Sequence, residues 1–293
     1  MTRKLIVNAD DLGLTEGVNR AVRECRRHGV LTSATMMANV SAFYGGVAAA
    51  TELEQDGALP TFSVGCHVIL IDGEPLLPAN ENPTLVQSDG RFRHNLSTFA
   101  QDALSGKIRV EEIEREASAQ IRKLQSEGVS VSHFDTHKHA HMFPSVLAGV
   151  LRAAMACGVR GVRNPFEQPL AIAGAVAVRP ALWFRYAEVQ VLRQWRAQFI
   201  RSVREVGLAT TDGCLGITIT GAMDEALLAA TLKNMPEGTW ELVCHPGYSD
   251  TDLQGAGTRL LASRAKEMEL LTSARTRELL ERNGIELTSF RDL

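Results

Sequence analysis

The chain has 293 residues, of which 45% are hydrophobic and 22% are charged, proportions that are ordinary for a globular protein. Its formal net charge of −3 gives no overall attraction to nucleic acid or to an anionic membrane. No apolar run reaches the roughly 18 residues that span a bilayer, and the first residues lead directly into a strand-like pattern without a signal-peptide core. We therefore expect a cytoplasmic protein with no nucleic-acid partner and no integral membrane segment.

Short, β-rich apolar runs alternate with longer helical patterns along the chain. The runs predict strands at 4–8, 31–38, 62–70, 129–134, 159–162, 214–218, 240–244 and 285–287. The patterns between them predict helices near 16–28, 41–55, 110–127, 144–157, 180–206, 223–234 and 261–283. This alternation is typical of α/β proteins with a parallel sheet. Eight strands suggest a (β/α)-barrel in one domain spanning residues 1–293, although a doubly wound open sheet would produce the same alternation.

Two segments depart from the alternation. Residues 71–105 are rich in proline and glycine with weak periodicity, which predicts a long βα-loop of the kind that usually serves function. Residues 179–206 combine six arginines with tryptophan and phenylalanine, which predicts an Arg/Trp-rich helical insertion. One interpretation of the insertion is a surface helix whose arginine stems lie on apolar neighbours. A second is a lid or docking face for an amphipathic or anionic substrate, and the least favoured is contact with nucleic acid.

The five cysteines are odd in number and scattered, with no C-x-x-C pair. This arrangement is typical of reduced, mostly buried thiols rather than of a disulfide framework or a cysteine zinc site.

Metal-capable and other polar residues collect at the carboxyl ends of the predicted strands. That edge is where active sites form in barrels and in open α/β sheets alike. The groups lie at 8–11, at His67, at 135–141, at 163–164 and at 245–247. Chance would scatter such residues over both strand ends and over the helices, so we expect a site at this edge.

Two adjacent carboxylates, Asp10 and Asp11, follow the first buried strand. A charged pair there is costly unless something compensates it. Because successive strand residues point to opposite faces, one carboxylate can bind a cation while the other stays free as a base. The alternative is that Asp11 simply caps the next helix.

Three histidines, His137, His139 and His141, alternate after the fourth strand. Only a continuing strand or a tight loop brings such a spacing together, because a helix would spread the three around its circumference. We expect one metal ligand, one residue that supports a ligand and one structural histidine among them. His67, at the end of the third strand, supplies the second nitrogen ligand in this interpretation. His245 ends the seventh strand and is placed to act as a general acid.

Two histidines and one carboxylate leave open positions on a metal ion. Such a set is typical of a catalytic zinc with a bound water, or of a non-haem iron oxygenase. Oxygen-rich coordination would favour Mg²⁺ instead. In a hydrolase the ion activates water and polarises the scissile carbonyl.

The residues at 7–13, 65–67, 135–144 and 244–246 together resemble the YdjC-like carbohydrate deacetylases, in the family's order and with similar spacing. The endings at 270–273 and 289–292 are also similar. One departure is Leu12, where the family more often has Phe. The resemblance implies a distorted (β/α) TIM-like barrel, a homodimer, and removal of N-acetyl groups from an amino sugar of the N-acetylglucosamine type, in an oligosaccharide or linked to a lipid.

The resemblance also implies a divalent cation, Mg²⁺ ahead of Zn²⁺, held by Asp11, His67 and His137. It implies Asp10 as the general base and His245 as the acid that protonates the leaving amine.

We expect two further residues to contact substrate, the first of them on the strength of the resemblance. These are Arg163, which would bind substrate or orient the base, and His139. Two rival functions remain at this point, a non-catalytic sugar- or metal-binding protein on the same scaffold and a non-haem iron oxygenase. The presence of both Asp10 and Asp11 argues against a scaffold without a working base.

Overall fold

The computed structural model describes residues 2–293, so Met1 of the predicted domain lies outside the described residues. Within them, nine strands pair in parallel in one sheet. The strands are β1 (Arg3–Leu12), β2 (Ser33–Met36), β3 (Ser63–Val68), β4 (Val131–Thr136), β5 (Gly161–Val162), β6 (Ala209–Thr210), β7 (Gly213–Leu215), β8 (Gly238–Cys244) and β9 (Ile285–Leu287). Their order is β6-β5-β4-β3-β2-β1-β8-β7, and β9 pairs with the start of β1.

Strands β1 to β8 form a nearly closed parallel barrel, which confirms the predicted distorted (β/α) TIM-like fold. The barrel is distorted because β5 and β6 have two residues each, and because β6 and β7 stand at opposite ends of the pairing order. Parallel pairing brings the carboxyl ends of the strands to one edge. Polar residues that are far apart in sequence are therefore neighbours there.

Helices surround the barrel. They are α1 (Glu16–His28), α2 (Phe43–Glu54), α3 (Leu96–Leu104), α4 (Val110–Ser126), α5 (Pro144–Ala156), α6 (Pro169–Val178), α7 (Trp183–Leu192), α8 (Arg196–Glu205), α9 (Glu225–Lys233), α10 (Thr251–Gly255), α11 (Ala262–Thr272) and α12 (Ala274–Arg282). In α1 the sequence signals are complete: the Thr15 side chain accepts from the Val18 N–H, Glu16 lies in the first turn and basic residues fill the last. Among the described residues, no helix is both long and apolar enough to cross a membrane.

Several predicted boundaries differ from the structure. The helix predicted at 180–206 is divided into α7 and α8 by 3₁₀ turns, and the one predicted at 261–283 is divided into α11 and α12 at Ser273, whose side chain caps α12. Helix α6 was not predicted, because its sequence is almost entirely apolar and shows no helical period. Helix α3, inside the predicted 71–105 loop, begins at an Asn95 cap. None of the five cysteines forms a disulfide within residues 2–293.

The segment that precedes α3 is held by carboxylates of α4. Glu116, fully buried, accepts hydrogen bonds from the backbone N–H groups of Leu76 at 2.8 Å and Leu77 at 3.1 Å, and from Asn82 Nδ2 at 2.9 Å. Glu112 accepts two from Thr84, one from its N–H and one from its hydroxyl, both at 2.8 Å. These contacts satisfy backbone donors that no strand or helix would satisfy.

The insertion at 179–206 is fastened to the barrel through its arginines. Arg185 donates to the carbonyl of Thr220 at 2.7 Å, Arg193 donates to the carbonyl of Glu167, and Arg179 pairs with Asp224. Its outward face leaves Phe184 76% exposed. At least three of the six arginines therefore anchor the insertion rather than project from it.

Candidate metal centre and active site

The predicted site residues lie together at the carboxyl edge of the barrel. Asp10 and Asp11 end β1, His67 lies near the end of β3, and His137 directly follows β4. His245 follows β8. The strand register thus unites side chains that are as much as 235 positions apart in the sequence.

Asp11, His67 and His137 converge on one point. Asp11 Oδ1 lies 3.4 Å from His67 Nε2 and 3.7 Å from His137 Nδ1, and the two nitrogens are 3.3 Å apart. Ligands held about 2.0–2.2 Å from a shared Zn²⁺ or Mg²⁺ ion have separations of this size. Asp11 Oδ1 is buried and, among the described residues, has no hydrogen-bond partner. A buried carboxylate oxygen without a donor fits a cation, so these three residues suit a divalent metal.

Two irregular backbone segments, one at Asp11 and one at 138–139, bring these side chains together. Asp11 has φ 68°, in the left-handed region, and the register between β1 and β2 shifts between Ala9 and Leu12. This interrupts the strand alternation, so Asp10 and Asp11 both reach the site. Lys138 and His139 also have positive φ, 55° and 53°. The histidine-rich segment is therefore a tight turn.

The alternating histidines have separate environments. His137 faces Asp11, whereas His141 Nδ1 shares a 2.7 Å hydrogen bond with Thr136 Oγ1 and its Nε2 lies 3.2 Å from the carbonyl of Arg163. His139 is half-buried, and its Nδ1 has no partner in the part of the chain described. His141 is thus fully occupied by the framework, and His139 keeps a free ring nitrogen.

His67 is oriented by a carboxylate that the sequence analysis did not assign. Asp135 Oδ1 lies 2.7 Å from His67 Nδ1, and Thr35 Oγ1 lies 3.3 Å from the same nitrogen. Burial opposes a charge on the imidazole, but Asp135, together with Asp10 and Asp11, outweighs burial and raises the pKa of His67 to about 9. Without metal, Nε2 therefore carries a proton where a cation would bind. Burial lowers the pKa of His137 to about 4, so this ring is neutral.

Arg163 is fully buried among carboxylates. Nη1 donates to Asp10 Oδ2 at 2.9 Å and Nη2 to Asp10 Oδ1 at 2.6 Å, while Nε donates to Glu241 at 2.8 Å and Nη1 also pairs with Asp135. Burial favours the neutral acid, yet Arg163 holds the pKa of Asp10 well below its usual range. Of the two roles implied by the resemblance, this geometry supports the orientation of Asp10 rather than contact with substrate.

His245 lies beside Asp10, next to the Oδ2 atom. Its Nε2 lies 3.8 Å from Asp10 Oδ2, and its backbone N–H donates to Glu267 Oε2 at 2.6 Å. Burial lowers the pKa of the His245 ring to about 4, so it is neutral near pH 7. A carboxylate and a neutral imidazole therefore stand side by side next to the metal-capable cluster.

Four buried charged residues around the site have no assigned role in the sequence-based predictions: Asp135, Glu241, Arg264 and Glu267. Two had a signal in the sequence. Asp135 opens the histidine motif, and Glu241 is a charge inside an apolar strand. Arg264 and Glu267 lie on α11 and have no signal in one sequence, because nothing in the helix shows that they face inward.

The chain is similar over its whole length to known proteins. The family model described as YdjC-like protein matches residues 4–282. Relatives named carbohydrate deacetylase include one from Brevibacillus brevis, 29% identical over 99% of both chains, and one from Mus musculus, 28% identical over 99% of this chain and 94% of its own. Carbohydrate deacetylase 1 of Listeria innocua is 30% identical over 99% of this chain and 100% of its own.

A solved structure has the same fold. An Enterococcus faecalis V583 protein designated a cellobiose-phosphate cleavage protein superposes with a TM-score of 0.75 at 26% identity, covering 100% of this chain and 99% of its own. With the family model matching nearly every residue, the chain belongs to the YdjC-like protein family.

Proposed function

We propose that this chain is a metal-dependent carbohydrate deacetylase that hydrolyses the N-acetyl group of an amino sugar. One observation carries the proposal: the unpartnered Asp11 Oδ1 meets His67 and His137 directly beside the ionised carboxylate of Asp10. The end-to-end similarity to proteins named carbohydrate deacetylase supports the choice of substrate class.

The proposed ligands of the divalent cation are Asp11, His67 and His137. When bound, the ion would polarise the acetyl carbonyl and acidify a water molecule. The family resemblance implies Mg²⁺, whereas two imidazole ligands are more typical of Zn²⁺. Both ions therefore belong in the experiment.

Asp10 is proposed as the general base. Arg163 keeps its carboxylate ionised and fixed in plane, ready to take a proton from the attacking water. His245 is neutral and 3.8 Å from Asp10 Oδ2. It can receive that proton and pass it to the departing amine nitrogen as the C–N bond breaks. The products are acetate and the free amino sugar.

The experiment strips the protein of metal, reloads it with Mg²⁺ or Zn²⁺, and measures acetate and free amine from acetylated mono-, oligo- and lipid-linked amino sugars. We expect acetate and amine in equal amounts, only with metal and without oxygen uptake. Sugar binding without acetate would indicate a binding protein, and oxygen consumption would indicate an oxygenase. Both outcomes contradict the proposal.

We further propose that residues 1–293 act as one catalytic domain in the cytoplasm and, on the family resemblance, as a homodimer. Light scattering of the purified protein tests the dimer, and a monomeric mass would contradict it.

A further inference from the structure

Helix α11 turns a charged face toward the barrel. Arg264 and Glu267, three positions apart and so on the same side of the helix, are 0% and 1% exposed. Charged side chains are almost never buried to this degree without partners. Their partners are two residues of the proposed active site.

Arg264 binds one carboxylate oxygen of Asp11 and leaves the other facing the proposed metal position. Its Nη2 pairs with Asp11 Oδ2, and its Nε donates to the carbonyl of Leu260 at 3.1 Å, which fixes the guanidinium. Asp11 Oδ1 is left facing His67 and His137. Without Arg264 the carboxylate is free to rotate about its last bond, and Oδ2 would be a second buried oxygen without a donor.

Glu267 holds the residue proposed as the acid. Its Oε2 accepts the His245 N–H at 2.6 Å and lies 4.0 Å from His245 Nδ1. The turn that follows His245 packs against α11, where the Gly247 N–H donates to the carbonyl of Arg264 at 3.3 Å. A Cβ at Gly247 would come within 2.9 Å of the Arg264 side chain. The loop that carries His245 is thus fixed from its outer side.

We propose that α11 is a positioning helix for the site, in which Arg264 aims the Asp11 oxygen at the metal position and Glu267 sets His245 beside Asp10. The inference rests on the proposed function for the roles of Asp11 and His245. Arg264 pairs with Asp11 and Glu267 accepts from His245, so in this proposal each acts through the residue that it holds. Partners that orient metal ligands typically change metal affinity by about 10–100-fold when removed.

The first arm measures Zn²⁺ and Mg²⁺ affinity by calorimetry. Arg264→Met, which keeps an unbranched apolar stem but removes the guanidinium, should weaken binding about 10–100-fold, and Arg264→Lys should recover part of it. The matched control is Arg275→Met, since Arg275 is exposed and pairs with Glu225 and Glu278 on the surface. Circular dichroism checks the fold, and Arg264→Lys serves alone if Arg264→Met does not fold. Wild-type affinity in the folded variants would overturn the role of Arg264.

The second arm tests Glu267. Glu267→Gln should leave metal affinity unchanged and lower kcat at unchanged KM, with a shift of the His245 amide proton resonance as its short hydrogen bond weakens. A loss of metal affinity equal to that of Arg264→Met would show a general structural role and overturn the assignment. Unchanged kcat and an unchanged His245 resonance would do the same.

Different results would contradict the proposed function and the proposed positioning role of α11. Wild-type protein that binds metal but releases no acetate contradicts the proposed function and leaves the metal titration of the Arg264 variants valid. Wild-type protein that binds neither cation overturns both.

Discussion

The guanidinium of Arg163 spans both carboxylate oxygens of Asp10, with Nη2 2.6 Å from Oδ1 and Nη1 2.9 Å from Oδ2. A bidentate ion pair of this kind fixes the plane of the carboxylate and stabilises its ionised form. Asn8 Nδ2 adds a second donor to Oδ1 at 2.9 Å. Oδ2, the oxygen nearer His245, has fewer donors and is therefore the better proton acceptor.

Replacing Asp10 by Asn should abolish most turnover and spare metal binding. The amide cannot take a proton from water, and loss of a general base typically costs about 10²–10⁴-fold in rate. The proposed metal ligands are other residues, so calorimetric affinity for Zn²⁺ or Mg²⁺ should stay at the wild-type value. The measurement pairs acetate release with calorimetry below the melting temperature of the variant. Turnover within tenfold of wild type would remove Asp10 from the role of base.

Bound metal should raise the melting temperature of the protein. An ion that binds only the folded state stabilises it by about 2.7 kcal/mol at a concentration 100 times its Kd. His137→Ala removes one of three proposed ligands and should abolish most of this shift. His28→Ala, an exposed histidine at the end of α1, is the control and should keep it. The measurement is scanning calorimetry with and without a chelator. An equal shift of the melting temperature in both variants would mean that the metal binds elsewhere.

The sequence predicted the candidate metal ligands more completely than the structural features that hold those ligands in place. Asp11 and His67 lie near the carboxyl ends of β1 and β3, and His137 directly follows β4. Parallel alternation alone predicts that such strand ends meet at one edge. The sequence also predicted a continuing strand or a tight loop at 137–141, because alternating histidines on a helix diverge, and the structure has a tight turn there. The exact approach of the ligands was not predictable, since it depends on the positive φ of Asp11 and Lys138.

Other parts of the fold had no readable signal. Helix α6 lacks a polar face, so its period is invisible, and β6 has only two residues. Arg264 lies in a helix that contains several charged residues, and only tertiary packing turns it inward. Hydrophobic periodicity locates elements, but it does not identify which charge is buried.

Glu241 should make the folded protein less stable as pH rises from acid to neutral. Burial, partly offset by Arg163, raises the pKa of Glu241 from 4.5 to about 7. Below pH 4.5 the side chain is protonated in both states. Between pH 4.5 and 7 the unfolded chain ionises first, which favours unfolding by up to about 3 kcal/mol.

Glu241→Gln lacks this titration but keeps an oxygen that can accept from Arg163. The stability of wild type relative to the variant should therefore fall between pH 4.5 and 7.5, as measured by urea unfolding of metal-free protein. Glu278→Gln, at an exposed position on α12, should show no such trend. A relative stability of Glu241→Gln that does not change with pH would mean that Glu241 is ionised in the fold throughout.

Glu116 should control the order of the segment before α3. Leu76 N–H donates to Oε1 of Glu116 and Leu77 N–H to Oε2, so Glu116→Gln replaces the acceptor of one of them by a donor that opposes it. Hydrogen bonds to a charged group contribute about 1.5–3 kcal/mol each, so the variant should lose roughly that amount or more in urea unfolding. Hydrogen exchange at 76–84 should quicken, while β1 and β4 stay protected.

The effect should reach the site through Asp72, which precedes this segment, pairs with Lys138 and lies 3.9 Å from His137 Nε2. We therefore expect a higher KM with metal affinity unchanged, because the proposed ligands themselves stay in place. Glu114→Gln is the matched control on the same helix: its side chain is 35% exposed and pairs only loosely with Arg152, at 3.6 Å. Its stability should change by less than about 0.5 kcal/mol. If both variants exchange equally slowly at 76–84, contacts other than Glu116 hold the segment, and the link from α4 to the site is wrong.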